Sequence, residues 1–108
     1  MSTVLYLVVP CYNEEETLPT TEKALTNLLS DMIKRGRISE NSRIVFVNDG
    51  SKDKTWELIE KYTEENILIK GIKLSRNKGH QNALLAGLMT VKDECDGAVS
   101  LDADLQDD

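Results

Sequence analysis

Apolar residues along this chain follow two spacings. Short continuous runs rich in β-branched residues are separated by longer segments in which apolar positions recur every three or four residues. The first run, VLYLVV at residues 4–9, is closed by Pro10 and predicts a strand buried on both faces. In NEEETLP, Asn13 is placed to cap a helix, with Glu14, Glu15 and Glu16 against the positive end of its dipole. Leu18, Leu25, Leu28, Leu29, Met32 and Ile33 then form a helical stripe that Gly36 ends. RIVFVND, residues 43–49, predicts a second buried strand. DGSKD predicts a turn with Asp53 as helix cap, and Trp56, Ile59 and Tyr62 share one face of the helix that follows. ILIKGIKLS, residues 67–75, predicts a third strand, bent or bulged at Gly71. After the polar loop RNKGHQN, a helix from Gln81 carries Ala83, Leu84, Gly87, Leu88 and Val91 on its buried side. GAVSLD, residues 97–102, predicts the fourth strand.

This order, β-α-β-α-β-α-β, predicts an α/β fold: a Rossmann-like three-layer sandwich around a mostly parallel sheet with right-handed crossovers. The spatial strand order should be 3-2-1-4, with strand tips at Pro10, Asp49, Ser75 and Asp102 along one edge. The chain has 108 residues, enough for one small domain, and 40% are hydrophobic, which excludes a disordered chain. No apolar run approaches the roughly 20 residues that span a bilayer, and MSTVLYLVVP lacks the flanks of a secretory signal, so a cytoplasmic location is expected. Cys11 and Cys95 form no CxxC pair and read as ordinary buried thiols rather than a zinc site or a disulfide. The net charge of −6 argues against nucleic-acid binding, yet leaves room for one phosphorylated ligand held through a divalent cation.

All four strands end in polar sequence: PCYNEE, NDGSKD, SRNKGHQN and DADLQDD. In a parallel sheet these carboxyl ends share one edge, where open α/β sheets bind ligands. In DADLQDD, Asp102 and Asp104 flank one residue, so strand geometry points both carboxylates the same way, and Gln106 continues the alternation. Such oxygens suit Mg²⁺ or Mn²⁺ that keeps positions open for phosphates; the alternative is a solvated acidic turn. An EF-hand loop is excluded because Asp107 stands where that loop needs glycine. Asp49, at a strand tip, could read N–H donors of a base or ribose hydroxyls, or belong to a plain tight turn. Tyr12 offers a ring for stacking on a base and Glu14 an acceptor for ribose hydroxyls, whereas Glu15 and Glu16 read as helix-dipole partners. Arg76 and Lys78 are either phosphate contacts or solvated charges, and His80 reads as capping or orienting its loop. Neither GxGxxG after the first strand nor GxxxxGK[ST] is present, which removes ordinary NAD and P-loop chemistry.

Taken together and in this order, VVPCYNEEETL, FVNDGSKDKTWELI, IKLSRNKGHQNALLAGL and SLDADLQDD resemble the family 2 glycosyltransferases of GT-A fold. NKGHQNALLAGL and DADLQDD are most similar to the polyprenyl-phosphate sugar transferases, the bacterial bactoprenol glucosyltransferases more than the dolichyl-phosphate mannosyltransferases. The resemblance covers essentially the whole chain. It implies that Pro10, Tyr12 and Glu14 form the first nucleotide-contacting loop and that Asp49 pairs with the base. It further implies that Lys78 approaches the nucleotide, that Asp102, Ala103 and Asp104 form the DxD segment, and that Gln106 is a further metal ligand. The implied reaction passes a hexose from a nucleotide-sugar, UDP-glucose foremost, to a polyprenyl (undecaprenyl) phosphate with inversion. The metal aids departure of the nucleoside diphosphate.

Family members continue well past the DxD segment, to acceptor-side residues and, in the bacterial branch, membrane helices. Residues 1–108 therefore read as the nucleotide-sugar-binding half of a GT-A domain, inactive alone and prone to self-association through uncovered apolar area. The whole protein is expected at the cytoplasmic side of the bacterial plasma membrane. Competing readings are a nucleotidyltransferase, which should carry a basic Gly-rich loop where PCYNEE stands, and a nucleotide-binding module without catalysis.

Overall fold

The computed structural model describes residues 3–103. Seven elements follow one another: β1 (Leu5–Cys11), α1 (Leu18–Lys34), β2 (Arg43–Asp49), α2 (Thr55–Glu65), β3 (Ile69–Leu74), α3 (His80–Val91) and β4 (Gly97–Ser100). The strands form one parallel sheet in the order β3-β2-β1-β4, the order expected from the pattern. Because side chains alternate along a strand, β1 and β2 feed two cores. Leu7, Val9, Cys11, Ile44 and Phe46 pack on one face beneath Leu18, Leu25 and Leu29 of α1 and Ile59 and Tyr62 of α2. Tyr6, Val8, Val45 and Val47 pack on the other beneath Ala83 and Val91 of α3. The result is a three-layer α/β sandwich.

The direction of winding reverses at β1. The chain steps outward from β1 to β2 to β3, then crosses back through α3 to lay β4 on the other side of β1. This reversal opens a crevice beyond the carboxyl ends of β1 and β4. The close seating of α3 depends on Gly87, where a Cβ would lie 2.7 Å from Val47 Cγ2 and 2.9 Å from Val8 Cγ1.

Several local expectations are corrected. β1 runs through Pro10 to Cys11, paired with Val47 and Asn48. The Val8 carbonyl accepts from Leu101 N–H, so Val8, and by alternation Pro10, face the β4 side. β4 has ended by that level, so the missing proline N–H costs no ladder bond. The strand expected over 97–102 stops at Ser100: after the Leu101 bond the chain turns away at Ala103.

Asn13 does not cap α1. It sits at φ 53°, its side chain bonded elsewhere, and the cap position belongs to Thr17. Pro19, which lacks an N–H and suits only a first turn, fixes the helix start, so Glu14, Glu15 and Glu16 all precede the helix. In the α1 stripe Leu28 is 49% exposed, and Thr21 lies among the buried residues with Leu18, Leu25 and Leu29. Gly71 makes no bulge: the β2–β3 register is unbroken, and the glycine admits α2, whose Ile59 Cγ2 would lie 2.7 Å from a Cβ there. β3 starts at Ile69 rather than 67, because Asn66 folds 66–69 into a turn by accepting from Leu68 N–H through Oδ1 and from Ile69 N–H through its carbonyl. α3 begins one residue earlier than expected, at His80. Cys95 is half-buried, whereas Cys11 is buried, and both are free thiols.

Candidate functional site

Each strand of the sheet delivers a loop to the reversal crevice, and the four loops enclose a cleft of about 280 Å³. The β1 loop contributes Pro10, Cys11, Tyr12 and Glu14, the tip of β2 contributes Asp49, and the β3–α3 segment contributes Asn77 and His80. Asp102 and Ala103, past β4, complete it. Of the residues singled out in the sequence, Pro10, Tyr12, Glu14, Asp49, Asp102 and Ala103 thus come together. Lys78 reaches the site through its backbone, as described below. Asp104 and Gln106 lie outside the described residues.

Asp49 is 2% exposed, and its carboxylate organises the neighbouring loop. Oδ1 accepts from Lys78 N–H at 2.7 Å, and Oδ2 and the main-chain carbonyl both accept from Asn77 Nδ2 at 3.2 Å. Each carboxylate oxygen has two lone pairs, so these bonds leave acceptor capacity toward the cleft. Gly50 follows at φ +67°, pressed against the Arg76–Asn77 backbone. Tyr12, also in the lining, is 42% exposed. Ala103 is buried, and its carbonyl accepts from the Thr21 hydroxyl, which ties the segment after β4 to α1. Asp102 remains exposed at the rim, its Oδ1 3.9 Å from His80 Nε2.

Cys11, Asn77 and His80 are cleft residues that the sequence reading did not select. Burial, with a contribution from Glu14, pushes the Cys11 thiol far above its ordinary pKa, and its S–H donates to Val9 O. It is a wall and not a nucleophile. Polarity in RNKGHQN was the available signal for Asn77. His80 had no partner visible in sequence because Asp102 reaches it through the crossover from β3 to β4.

The β1 loop is held by the turn after β2. Asp53 Oδ1 accepts from Thr55 N–H at 2.9 Å and Thr55 Oγ1 at 2.5 Å, and Oδ2 accepts from Glu15 N–H at 3.2 Å. It therefore braces the start of α2 from one position before the cap residue, Lys54. Burial acts to raise the Asp53 carboxyl, but the bonds from Thr55 and Glu15 together outweigh it and hold the group below the usual carboxylate range. The folded chain thus favours the ionised form. Asp53 stabilises the fold above about pH 4, and that contribution is lost as pH falls through its lowered value. Urea midpoints of the wild-type chain and Asp53→Asn should differ at pH 6 and converge near about pH 2. A gap independent of pH would show that Asp53 does not titrate in this way.

Glu14, Asp49 and Asp102 give the cleft three carboxylates. A phosphorylated ligand would meet like charge there unless a cation intervened. Among the described residues no group of three or more His, Cys, Asp or Glu is placed to hold a metal ion. The exposed Asp102 carboxylate on the cleft rim does fit a hard divalent cation as one of its ligands.

The parallel sheet thus gathers acids and one exposed tyrosine in the crevice at its winding reversal, the place where open α/β sheets bind ligands. Residues 6–108 match the family model described as Glycosyl transferase family 2, and the chain belongs to that family. A Bacillus subtilis protein named uncharacterized glycosyltransferase YkoT is 51% identical over 105 residues, 97% of this chain and 31% of that protein. The Escherichia coli prophage bactoprenol glucosyl transferase homolog is 38% identical over 101 residues, 94% of this chain and 30% of that protein. Among solved structures, S. aureus TarS 1-349 in complex with UDP superposes with a TM-score of 0.62 at 25% identity, covering 94% of this chain and 27% of that one. The mannosyltransferase PcManGT from Pyrobaculum calidifontis, in complex with GDP-Man and Mn²⁺, gives a TM-score of 0.65 at 23% identity, covering 96% and 28%. The fold is that of the GT-A glycosyltransferases. The chain spans about 30% of the length of the curated relatives it matches.

Proposed function

We propose that residues 1–108 form the nucleotide-sugar-binding half of a glycosyltransferase that passes a hexose from a UDP-sugar, UDP-glucose foremost, to a polyprenyl phosphate with inversion. The observation that carries this reading is the cleft itself. It lies where α/β sheets bind nucleotides and gathers Pro10, Tyr12, Glu14, Asp49, Asp102 and Ala103 from three separate strand ends. The bactoprenol glucosyl transferase homolog supports the lipid acceptor, and TarS bound to UDP supports the donor.

In this reading Tyr12 stacks on the base, Asp49 accepts from the base and Glu14 accepts from ribose hydroxyls. Lys78 keeps Asp49 oriented through its backbone and directs its side-chain charge toward phosphate. Asp102, with Asp104 and Gln106, would hold Mg²⁺ or Mn²⁺, which when bound neutralises charge on the departing nucleoside diphosphate. The acceptor phosphate is already anionic and needs no base to become a nucleophile; it displaces the diphosphate from the anomeric carbon on the opposite face. Residues that receive the acceptor belong to the rest of the longer protein, so this chain binds donor and does not turn it over. Among the described residues no helix is long and apolar enough to cross a membrane. The whole protein works at the cytoplasmic face of the bacterial plasma membrane, where its lipid substrate lies.

Calorimetric titration of the chain with UDP in Mn²⁺ tests the donor reading. Saturable binding with Kd below about 1 mM is expected. Absence of UDP binding, with chemical shifts of the Tyr12 and Asp49 amides unmoved, would sink it.

A further inference from the structure

The turn between β2 and α2 carries a device that the cleft residues alone do not explain. Within five residues, three side chains each accept from one backbone N–H of the β1–α1 loop. Ser51 Oγ accepts from Asn13 at 3.0 Å, Thr55 Oγ1 from Glu14 at 2.8 Å and Asp53 Oδ2 from Glu15 at 3.2 Å. These are three consecutive N–H groups outside any helix or strand. Asn13 answers in the other direction, its Oδ1 accepting from Lys52 N–H at 2.8 Å.

The clamp is braced from within. The Thr55 hydroxyl donates its one proton to Asp53 and presents a lone pair to Glu14, so its orientation is fixed. Asn48 Oδ1 accepts from Ser51 N–H at 3.3 Å and holds the turn against the strand. Thr55 is fully buried, which leaves its hydroxyl no water to bond instead. These bonds sustain the left-handed Asn13, a conformation that a non-glycine residue adopts at some energetic cost.

The clamped residues sit beside the cleft. Tyr12 immediately precedes them, Glu14 is one of them, and both line it, while Ser51, Asp53 and Thr55 do not. Resting on the donor reading above, we propose that Ser51, Asp53 and Thr55 are positioning residues that set Tyr12 and Glu14 to receive the nucleoside of the donor without touching it. A loop already ordered at folding loses little further freedom on binding, so the clamp shows up as nucleotide affinity.

Thr55→Val keeps the shape and removes both hydroxyl bonds. In the 108-residue chain it should release amide exchange at residues 13–15, leave β1 and β2 amides protected, and weaken UDP binding in Mn²⁺ about tenfold. Thr55→Ser, which retains the hydroxyl, should restore both the protection and the affinity. Ser51→Ala provides the same comparison at a half-buried side chain if Thr55→Val does not fold; it should release Asn13 and weaken UDP about threefold. A freed loop with unchanged UDP affinity would overturn the positioning role and leave the donor reading intact. Unchanged exchange at residues 13–15 in a folded variant would show that the clamp does not fix the loop. A wild-type chain that binds no UDP would remove the donor reading and, with it, the nucleotide role of the clamp, while the exchange data would still report whether the clamp orders the loop.

Discussion

Gly50→Ala is expected to be among the most damaging single-methyl changes in this chain and to cost the cleft at the strand ends its shape. Gly50 lies at φ +67°, and a Cβ there would stand 2.3 Å from Asn77 N and 2.4 Å from Arg76 C. Both are backbone atoms, so no side-chain rotation relieves the overlap. The left-handed conformation adds about 1 kcal/mol. The overlap adds roughly 1–3 kcal/mol more by forcing the backbone of the β3–α3 segment away. That segment is the one Asp49 holds through Asn77 and Lys78, so the displacement breaks those bonds as well. A fall in Tm of more than about 10 °C should result, together with loss of UDP binding. Gly36→Ala separates the two costs: Gly36 has φ +73° with nothing within 4 Å of a Cβ. It should lose only about 1 kcal/mol and bind UDP as the wild-type chain does. Equal destabilisation by the two substitutions would mean that the contact with residues 76 and 77 is not what Gly50 protects.

Features set by short-range chemistry were legible in the sequence, and those set by distant partners were not. RIVFVND was legible as β2 because Ile44, Val45, Phe46 and Val47 form an unbroken apolar run, as a strand covered on both faces needs, and all four are buried. Strand order followed from the crossover rule once the helices between strands were recognised. Asn13 was misread because capping chemistry is local, whereas the partner that claims its side chain is Lys52, on a different loop. The Asp53 cap was read at nearly the right place, but its bond to Glu15 N–H was invisible for the same reason. Leu28 was placed on the α1 stripe by its apolarity, yet the helix turns it outward and Thr21 occupies the buried face, its hydroxyl satisfied by Ala103. The site followed the same division. Its carboxylates were visible as strand-end acids. That Asp49 also holds the loop of Asn77 and Lys78 depended on which side chains meet at the paired ends of β2 and β3, and that His80 stands near Asp102 depended on the crossover from β3 to β4; no local pattern encodes either contact.

The second large effect expected concerns the acids after β4. If Asp102, Asp104 and Gln106 hold a divalent cation that phosphates complete, cation and nucleotide must bind with positive coupling. Each supplies charge or ligands that the other lacks, and linkage makes the effect equal in both directions. The cleft sharpens this expectation, because Glu14, Asp49 and Asp102 would otherwise repel a diphosphate. The wild-type chain should therefore bind UDP at least about tenfold more tightly in Mn²⁺ than in EDTA, within the usual range of coupling energies. Asp104→Asn removes one carboxylate from the DxD segment and should reduce that ratio to about two or less. Asp102→Asn should do the same, although its effect without metal differs in sign, since it also removes a charge that repels phosphate. In either variant the binding expected to remain is weak and metal-independent, through Tyr12 and Asp49 as proposed above. Ala103 is buried and bonded to Thr21 without help from the Asp102 side chain, so loss of coupling need not accompany loss of stability. Melting curves of the variants should stay within a few degrees of wild type, and calorimetric titrations at fixed Mn²⁺ and in EDTA give the ratio. Equal UDP affinity with and without Mn²⁺ in the wild-type chain would exclude a metal-bridged diphosphate at this site.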